Sequence, residues 1–338
     1  MIKKILFWIN CSRWPSFAQS FWSALLALVV VLCDRDQTLD WRDVLLGALA
    51  VLGVPLAHAG ANLFDDYFDY VSHAVRRRKE MVDGGVRARS QKCAYLDSGK
   101  ATTRQLFVAA GVFCLLATIC GLVVLVFRGP VLLIPIASGG LLAFFYSAPP
   151  FRLSYRGLGE VVVGLIFGPI VMSGVSLATC GRLTPSVAWL SVPMGILAAN
   201  ILFVHSIMDL DPDLRAGKRA LAALLGSPSR AVAFDGDLLI TCYFAVIIGV
   251  VFGSVSPFAL IVLATTPMAI ELFLSMRIYL KDPEKVPEPK WFRGPMGSWE
   301  LIARAGLGWF MFRWYLARNL LTFFALCLLV STLLARFV

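Results

Sequence analysis

The sequence predicts an all-α, polytopic membrane protein of about nine transmembrane helices. Three observations carry that prediction. The 338 residues are 59% hydrophobic and only 15% charged, whereas ordinary soluble domains are about a quarter charged. Mean hydropathy is +0.77. Apolar runs of membrane-spanning length recur along the whole chain, which a single very hydrophobic soluble core does not explain.

Taken in order, the first span covers about 16–33 and closes at Asp34-Arg-Asp36. The basic start, Met-Ile-Lys-Lys, is followed by no small-residue cleavage site, so the first span is expected to stay as a signal anchor. The second span begins near 43. A polar loop of about 71–103 carries Arg76 to Lys79, Arg87, Arg89, Lys92 and Lys100. Span three is about 104–127, and Arg128-Gly-Pro130 turns the chain into span four, about 131–147. Span five is about 158–179. Span six, about 186–208, runs into a second basic loop, about 209–230. Spans seven and eight fall at about 233–252 and 257–276. The prolines of the region 277–318 keep it from being a span, and its mix of aromatic and basic residues suits a helix lying in the interface. Span nine is about 319–337. One transmembrane domain over 1–338 is expected.

The formal charge of +10 is read as topology, so no nucleic-acid partner is expected. Lys3, Lys4, Arg13 and the loops after even-numbered spans hold nearly all Lys and Arg. The positive-inside rule then puts the N-terminus and those loops in the cytoplasm of a cell bearing this protein in its inner, cytoplasmic membrane. The eight cysteines lie mostly in apolar segments without metal-ligand spacing and read as small packing residues.

The stretch from His58 to His73 holds the chemistry. At helical pitch His58, Asn62, Asp65, Asp66, Asp69 and His73 share one face. Carboxylates crowded at the end of an apolar helix repel one another and resist desolvation. Either a hard divalent cation such as Mg2+ compensates them, carrying a phosphorylated substrate, or the helix end has emerged into water. A second acidic stretch favours the cation. Asp209 and Asp213 lie at i, i+4, with His205 one turn earlier, Asp211 pointing elsewhere, and Arg215, Lys218 and Arg219 following. Acids beside bases at the ends of two separate helices suit a diphosphate bound through bridging metal. His58 reads as a satisfied core histidine.

Ala61-Asn62-Leu-Phe-Asp65-Asp66-Tyr-Phe-Asp69-Tyr70 resembles the first Asp-rich motif of the UbiA superfamily of intramembrane prenyltransferases. Asp209-Leu-Asp-Pro-Asp213 with the trailing Gly217-Lys218-Arg219 resembles the second, and Tyr146-Ser-Ala-Pro-Pro-Phe-Arg152-Leu-Ser is similar to the segment between spans four and five. Arg156-Gly-Leu-Gly-Glu160 and Phe167-Gly-Pro169 are similar, more narrowly, to the branch that prenylates 1,4-dihydroxy-2-naphthoate in menaquinone synthesis. The resemblance implies a UbiA-like bundle that uses Mg2+ to transfer a polyprenyl group from an isoprenyl diphosphate to an aromatic acceptor within the lipid bilayer. It implies catalytic roles for Asp66, Asp69, Asp209 and Asp213, with Asp65 beside them as a further metal ligand. It implies substrate contacts from Asn62, Lys218, Arg87, Tyr146, Arg152, His205 and His73. Tyr67, Tyr146 and Tyr155 are candidates to line the cavity, with an interfacial position the plainer reading of each. The family's Asn-Asp pair appears as Asp65-Asp66, a Gly and an Asp past Asp69 are His73 and Val75, and an Asn before the second motif is His205. Both histidines are read as hydrogen-bonding substitutes ahead of ligands or general bases. The other readings are a different acceptor (4-hydroxybenzoate, a chlorin or a glycerol phosphate lipid), a homologue that binds without turnover, and a polyprenyl-phosphate transporter. A transporter would place its polar groups nearer midplane.

Overall fold

Four of the long helices begin where a side chain takes up the first free backbone N–H groups. Asp40 and Asp43 form a reciprocal capping box at the start of one helix, and Thr102 and Gln105 do so at another. Thr184 and Ser227 cap two more, each just ahead of a proline at the first helical position. The computed structural model describes residues 2–89, 91–288 and 290–337. In chain order its helices are α1 (Ile2–Cys11), α2 (Ala18–Cys33), α3 (Trp41–Val71), α4 (Ala74–Asp83), α5 (Ala94–Asp97), α6 (Thr103–Arg128) and α7 (Leu133–Phe145). There follow α8 (Gly159–Cys180), α9 (Pro185–Met208), α10 (Leu210–Arg215), α11 (Leu221–Leu224), α12 (Pro228–Val251), α13 (Pro257–Lys281), α14 (Trp299–Arg304) and α15 (Gly308–Phe337).

Among the described residues, eight helices are long and apolar enough to cross a membrane, and the segment Pro130–Phe145 is apolar but shorter. The protein is therefore a multi-pass, all-helical membrane protein, with about nine spans reduced to eight full-length ones and a short companion. Much of α6 turns outward, with Leu115, Leu122, Val126 and Phe127 exposed, as hydrocarbon permits and water would not. The core lies where α2, α9 and α15 meet, around Leu26, Met194, Phe203, Phe310, Phe312 and Phe324.

Glycines set the closest helix approaches. A Cβ built on Gly60 of α3 would lie 2.4 Å from the Cys114 sulfur of α6. One on Gly168 of α8 would lie 2.5 Å from the Ser191 carbonyl oxygen of α9. Gly164 and Gly168 form a GxxxG pair, the spacing that lets membrane helices pack backbone to backbone. The Ile166–Ile170 stretch of α8 takes one π turn at Pro169, where proline cannot supply the usual N–H. That turn presses Phe167 onto His58, with ring centroids 4.7 Å apart.

Two segments differ from the sequence reading. The polar loop of about 71–103 contains α4 and α5, whose buried Val75, Cys93 and Leu96 form a small core with Leu63 and Leu106. The interface helix expected within 277–318 is, in its second half, the beginning of α15. Trp309, Phe310, Phe312, Arg313 and Tyr315 are buried there. Arg313 reads as an interfacial cation in the sequence, yet its side chain donates to the carbonyls of Ser275 (3.0 Å) and Lys285 (3.2 Å). An arginine whose guanidinium is satisfied by backbone carbonyls can sit inside a bundle.

Candidate active site

The two acidic stretches face each other across one mouth of a single large cavity. Its volume is about 1410 Å³. On α3 the lining runs from Ala50 to Asp69, which at 1.5 Å per residue is roughly 28 Å of depth. Below the acids the wall is apolar, and it reaches Leu125 and Leu132 at the opposite end. There Arg128 ties α6 to Asp43 of α3 and to the carbonyl of Ala178 on α8.

On α3, Asp65, Asp66 and Asp69 are compensated by two cations and two phenols. Arg13, in the turn between α1 and α2, places Nη2 2.7 Å from both Asp65 and Asp66. Lys92 places Nζ 2.7 Å from Asp65 and 2.6 Å from Asp69. Tyr95 donates to Asp66 and Tyr155 to Asp69, each at 2.9 Å, and Ser147 donates to Asp65. Asn62 spends its amide on the Ser12 carbonyl at 2.8 Å, which fixes the turn that carries Arg13. Burial opposes the charge on Lys92, yet Asp65 and Asp69 hold its ammonium above the ordinary lysine range.

At the second cluster, α9 ends at Met208 and the short α10 keeps Asp209 and Asp213 on one side. Arg78 of α4 bridges them, at 2.6 Å from Asp209 and 2.8 Å from Asp213. His205 Nε2 lies 2.7 Å from Asp209, and Lys218 Nζ lies 2.9 Å from Asp213. Burial raises the Asp209 pKa, but His205, Arg78 and Lys218 outweigh it and bring it to about 2, so this carboxylate is ionised throughout the physiological range. Asp211 is exposed and pairs with Arg215. Gly217, at φ +74°, makes the left-handed turn that returns Lys218 toward Asp213. The Arg219 N–H donates to the Tyr155 carbonyl at 3.1 Å, which ties this loop to the α7–α8 loop. Glu160 is buried and accepts from Ser206 and from the Leu221 N–H, so it holds α8, α9 and α11 together below the site.

Of the residues singled out from sequence, Asn62, Asp65, Asp66, Asp69, Tyr146, Tyr155, His205, Asp209, Asp213 and Lys218 line the cavity. Four others are placed elsewhere. α3 stops at Val71 and His73 takes a left-handed conformation (φ 60°) at the start of α4, so the helical face does not continue to it and it is exposed. Arg87 pairs with Glu284 and lies over Trp309. Arg152 stacks on the Tyr155 ring at 4.3 Å and donates to Ser72, which braces the tyrosine from behind. Tyr67 packs against Phe107 outside the cavity. The residues that sequence spacing missed are Arg13, Arg78, Arg89, Lys92 and Tyr95. The loop's basic composition was the available signal for Arg78, Arg89 and Lys92, but no periodicity extends through a folded loop to say which cations turn inward. Arg87→Ala is expected to change turnover less than about twofold, since its partner is a solvent-exposed acid. Arg78→Ala is expected to lower it by about tenfold or more, checked by initial rates at saturating substrate.

The donor set fits a hard cation delivered with its anion. Among the described residues, no group of three His, Cys, Asp or Glu side chains converges closely enough to hold an ion alone. Mg2+ typically keeps several waters and binds through one or two carboxylates plus substrate phosphates. The buried Oδ1 of Asp209 has no hydrogen-bond partner among the described residues, which fits an oxygen left free for such a cation.

The sequence profile of the UbiA prenyltransferase family matches residues 20–299. Among curated proteins the chain is similar to the 2-carboxy-1,4-naphthoquinone phytyltransferase of Synechocystis sp., at 27% identity over 78% of this chain and 80% of that protein. It is similar also to the 1,4-dihydroxy-2-naphthoate octaprenyltransferase of Mycobacterium tuberculosis, at 27% identity over 68% and 72%. Among solved structures, a digeranylgeranylglyceryl phosphate synthase superposes with a TM-score of 0.58 at 15% identity, covering 99% of each chain. A UbiA homologue from Archaeoglobus fulgidus bound to GPP and Mg2+ superposes with a TM-score of 0.55 at 14% identity, covering 96% of this chain and 99% of that one.

Proposed function

The chain belongs to the UbiA prenyltransferase family, and from that footing we propose that it transfers a polyprenyl group from an isoprenyl diphosphate to 1,4-dihydroxy-2-naphthoate, with Mg2+, as a step of menaquinone synthesis. The observation that carries this reading is the pair of carboxylate clusters facing one cavity mouth, each with its own cations. The naphthoate- and naphthoquinone-specific names of the two curated relatives support the acceptor.

Asp66, Asp69, Asp209 and Asp213 would hold the metal, with Asp65 keeping Arg13 and Lys92 in place beside them. Mg2+, when bound, supplies charge that stabilises the departing diphosphate. Arg78, Lys92 and Lys218 sit against the carboxylates and are positioned to meet phosphate oxygens as the anion enters. The bond from the allylic carbon to diphosphate breaks with its electron pair on the diphosphate, a carbon–carbon bond forms to the ring carbon that bears the carboxylate, and that carboxylate leaves as CO2, returning its bonding pair to restore the aromatic ring. Tyr146 and Tyr155 line the cavity beside these acids and would offer π-electron density to an allylic cation formed there. The apolar wall below the acids takes the lipid tail and keeps water from the cation. By the positive-inside rule, the basic loops at the acid end support a mouth open to the cytoplasm.

The test is to incubate purified protein with Mg2+, a long-chain prenyl diphosphate and 1,4-dihydroxy-2-naphthoate, and to seek the prenylated naphthoquinol by mass spectrometry. That product is expected. Product with 4-hydroxybenzoate and none with the naphthoate would overturn the acceptor.

A further inference from the structure

The cavity's cations divide into two kinds. Arg13, Lys92, Arg78 and Lys218 are each bound to a carboxylate. Lys100 and Arg89 line the same cavity with no acid paired to either among the described residues; Lys100 is exposed, whereas Arg89 is half-buried. It lies over the ring of Phe310, 5.0 Å from its centroid. Its position is fixed through its backbone, because Arg78 donates from Nε to the Arg89 carbonyl at 2.9 Å while bridging Asp209 and Asp213. Burial depresses the Arg89 pKa below the ordinary arginine range, as expected for a cation that lacks a close counter-anion.

Phe310 is fully buried behind the cavity lining and meets His205 edge-on at 5.0 Å. Met311, Trp314 and Tyr315, beside it and on the next turn of α15, do line the cavity. A guanidinium held over a ring and paired with no acid among the described residues, next to aromatic side chains that line the cavity, is suited to a planar aromatic ring that carries a carboxylate. Such an acceptor enters a mouth crowded with carboxylates and, during turnover, a diphosphate. Its own negative charge is tolerated there only beside a dedicated cation. The cations already seated on the acids belong to the diphosphate side of the mouth, and Arg89 is the one set against the aromatic side.

We propose that Arg89 and the Met311–Trp314 side of α15 form the acceptor subsite, in which Arg89 receives the carboxylate of an aromatic acid and that side of the cavity receives its ring. This rests on the prenyl-transfer reading above and adds where the acceptor binds and why it must be an acid. Bound there, the ring lies beside the second acid cluster, within reach of an allylic carbon held at the mouth.

Calorimetric titration of the whole protein in nanodiscs, with Mg2+ and pyrophosphate present, tests it using two probes, 1-hydroxy-2-naphthoate and 1-naphthol. The wild type should bind the carboxylated probe more tightly. Arg89→Met should weaken that probe by about tenfold or more, to the level of 1-naphthol, and leave 1-naphthol unchanged. Arg89→Lys, which keeps the charge and loses the fork, should fall between them. Retained binding of pyrophosphate with Mn2+ shows that each variant is folded and that its diphosphate side is intact. Unchanged naphthoate affinity in both variants would overturn the subsite, as would loss of pyrophosphate binding with naphthoate binding intact, which would move Arg89 to the diphosphate. Failure of the wild type itself to distinguish the two probes would instead overturn the carboxylated acceptor of the underlying reading.

Discussion

Asp69→Asn and Asp213→Asn, made singly, are each expected to lower prenyl transfer by on the order of 10²–10³-fold, the scale of losing one preorganised electrostatic contact to a developing charge. Asparagine keeps the shape of the side chain and removes its charge, so the effect reports the carboxylate. Asp69 holds Lys92 and Tyr155, and Asp213 holds Arg78 and Lys218. Each substitution therefore loosens the cations of its own cluster as well as the metal. The two residues come from helices far apart in the chain, yet they face one mouth. If both losses arise from one diphosphate clamp, the double variant should fall well short of the product of the single effects, because interactions within one network are not additive. Initial rates with a fixed prenyl diphosphate decide this. Unchanged turnover in either single variant would remove that cluster from the chemistry.

Gly168→Val is expected to abolish accumulation of folded protein, and Gly168→Ala to destabilise it by about 1–3 kcal/mol or more. Added atoms at this position would lie 2.5 Å from the Ser191 carbonyl oxygen and 2.6 Å from Gly195 Cα, all backbone that cannot rotate away. A Cβ built on Gly195 would make the reciprocal clash, 2.6 Å from the Gly164 carbonyl oxygen. Forcing α8 from α9 also displaces Phe167, and with it the cavity wall at His58. Unfolding monitored in detergent measures the change. A Gly168→Val protein as stable as wild type would show that α8 and α9 do not pack as described.

The spans were legible because hydrocarbon leaves little choice: a segment about 20 residues long and apolar must be a helix. The acids were legible because i, i+3 and i+4 spacing places Asn62, Asp65, Asp66 and Asp69 on one face of a helix that continues to Val71. That logic fails one residue later. Ser72 and His73 turn the chain, and a face extrapolated from periodicity has no means of registering a left-handed residue. The cations were illegible for a related reason. Arg87 and Arg89 are two residues apart in the same basic loop, but one pairs with Glu284 and the other lines the cavity, its guanidinium over the Phe310 ring. Only the fold of α4, α5 and their connection separates them. Phe310 itself read as part of an interface helix, since aromatic and basic residues at helical spacing describe both a surface anchor and a helix whose arginines satisfy buried carbonyls. Within the spans, Asn200 and Asp235 form a fully buried polar pair at 2.7 Å between α9 and α12. Sequence reasoning had no second charge nearby to flag it.

The claim on which the account turns is that both acid clusters act together on one metal-bound diphosphate. Electron paramagnetic resonance of Mn2+ bound in the presence of a non-reactive prenyl thiodiphosphate addresses it most directly. Tight Mn2+ binding is predicted only when the thiodiphosphate is present, and it is predicted to be lost in Asp69→Asn and in Asp213→Asn alike. Tight Mn2+ binding that needs no diphosphate, or that survives loss of either cluster, would contradict the account.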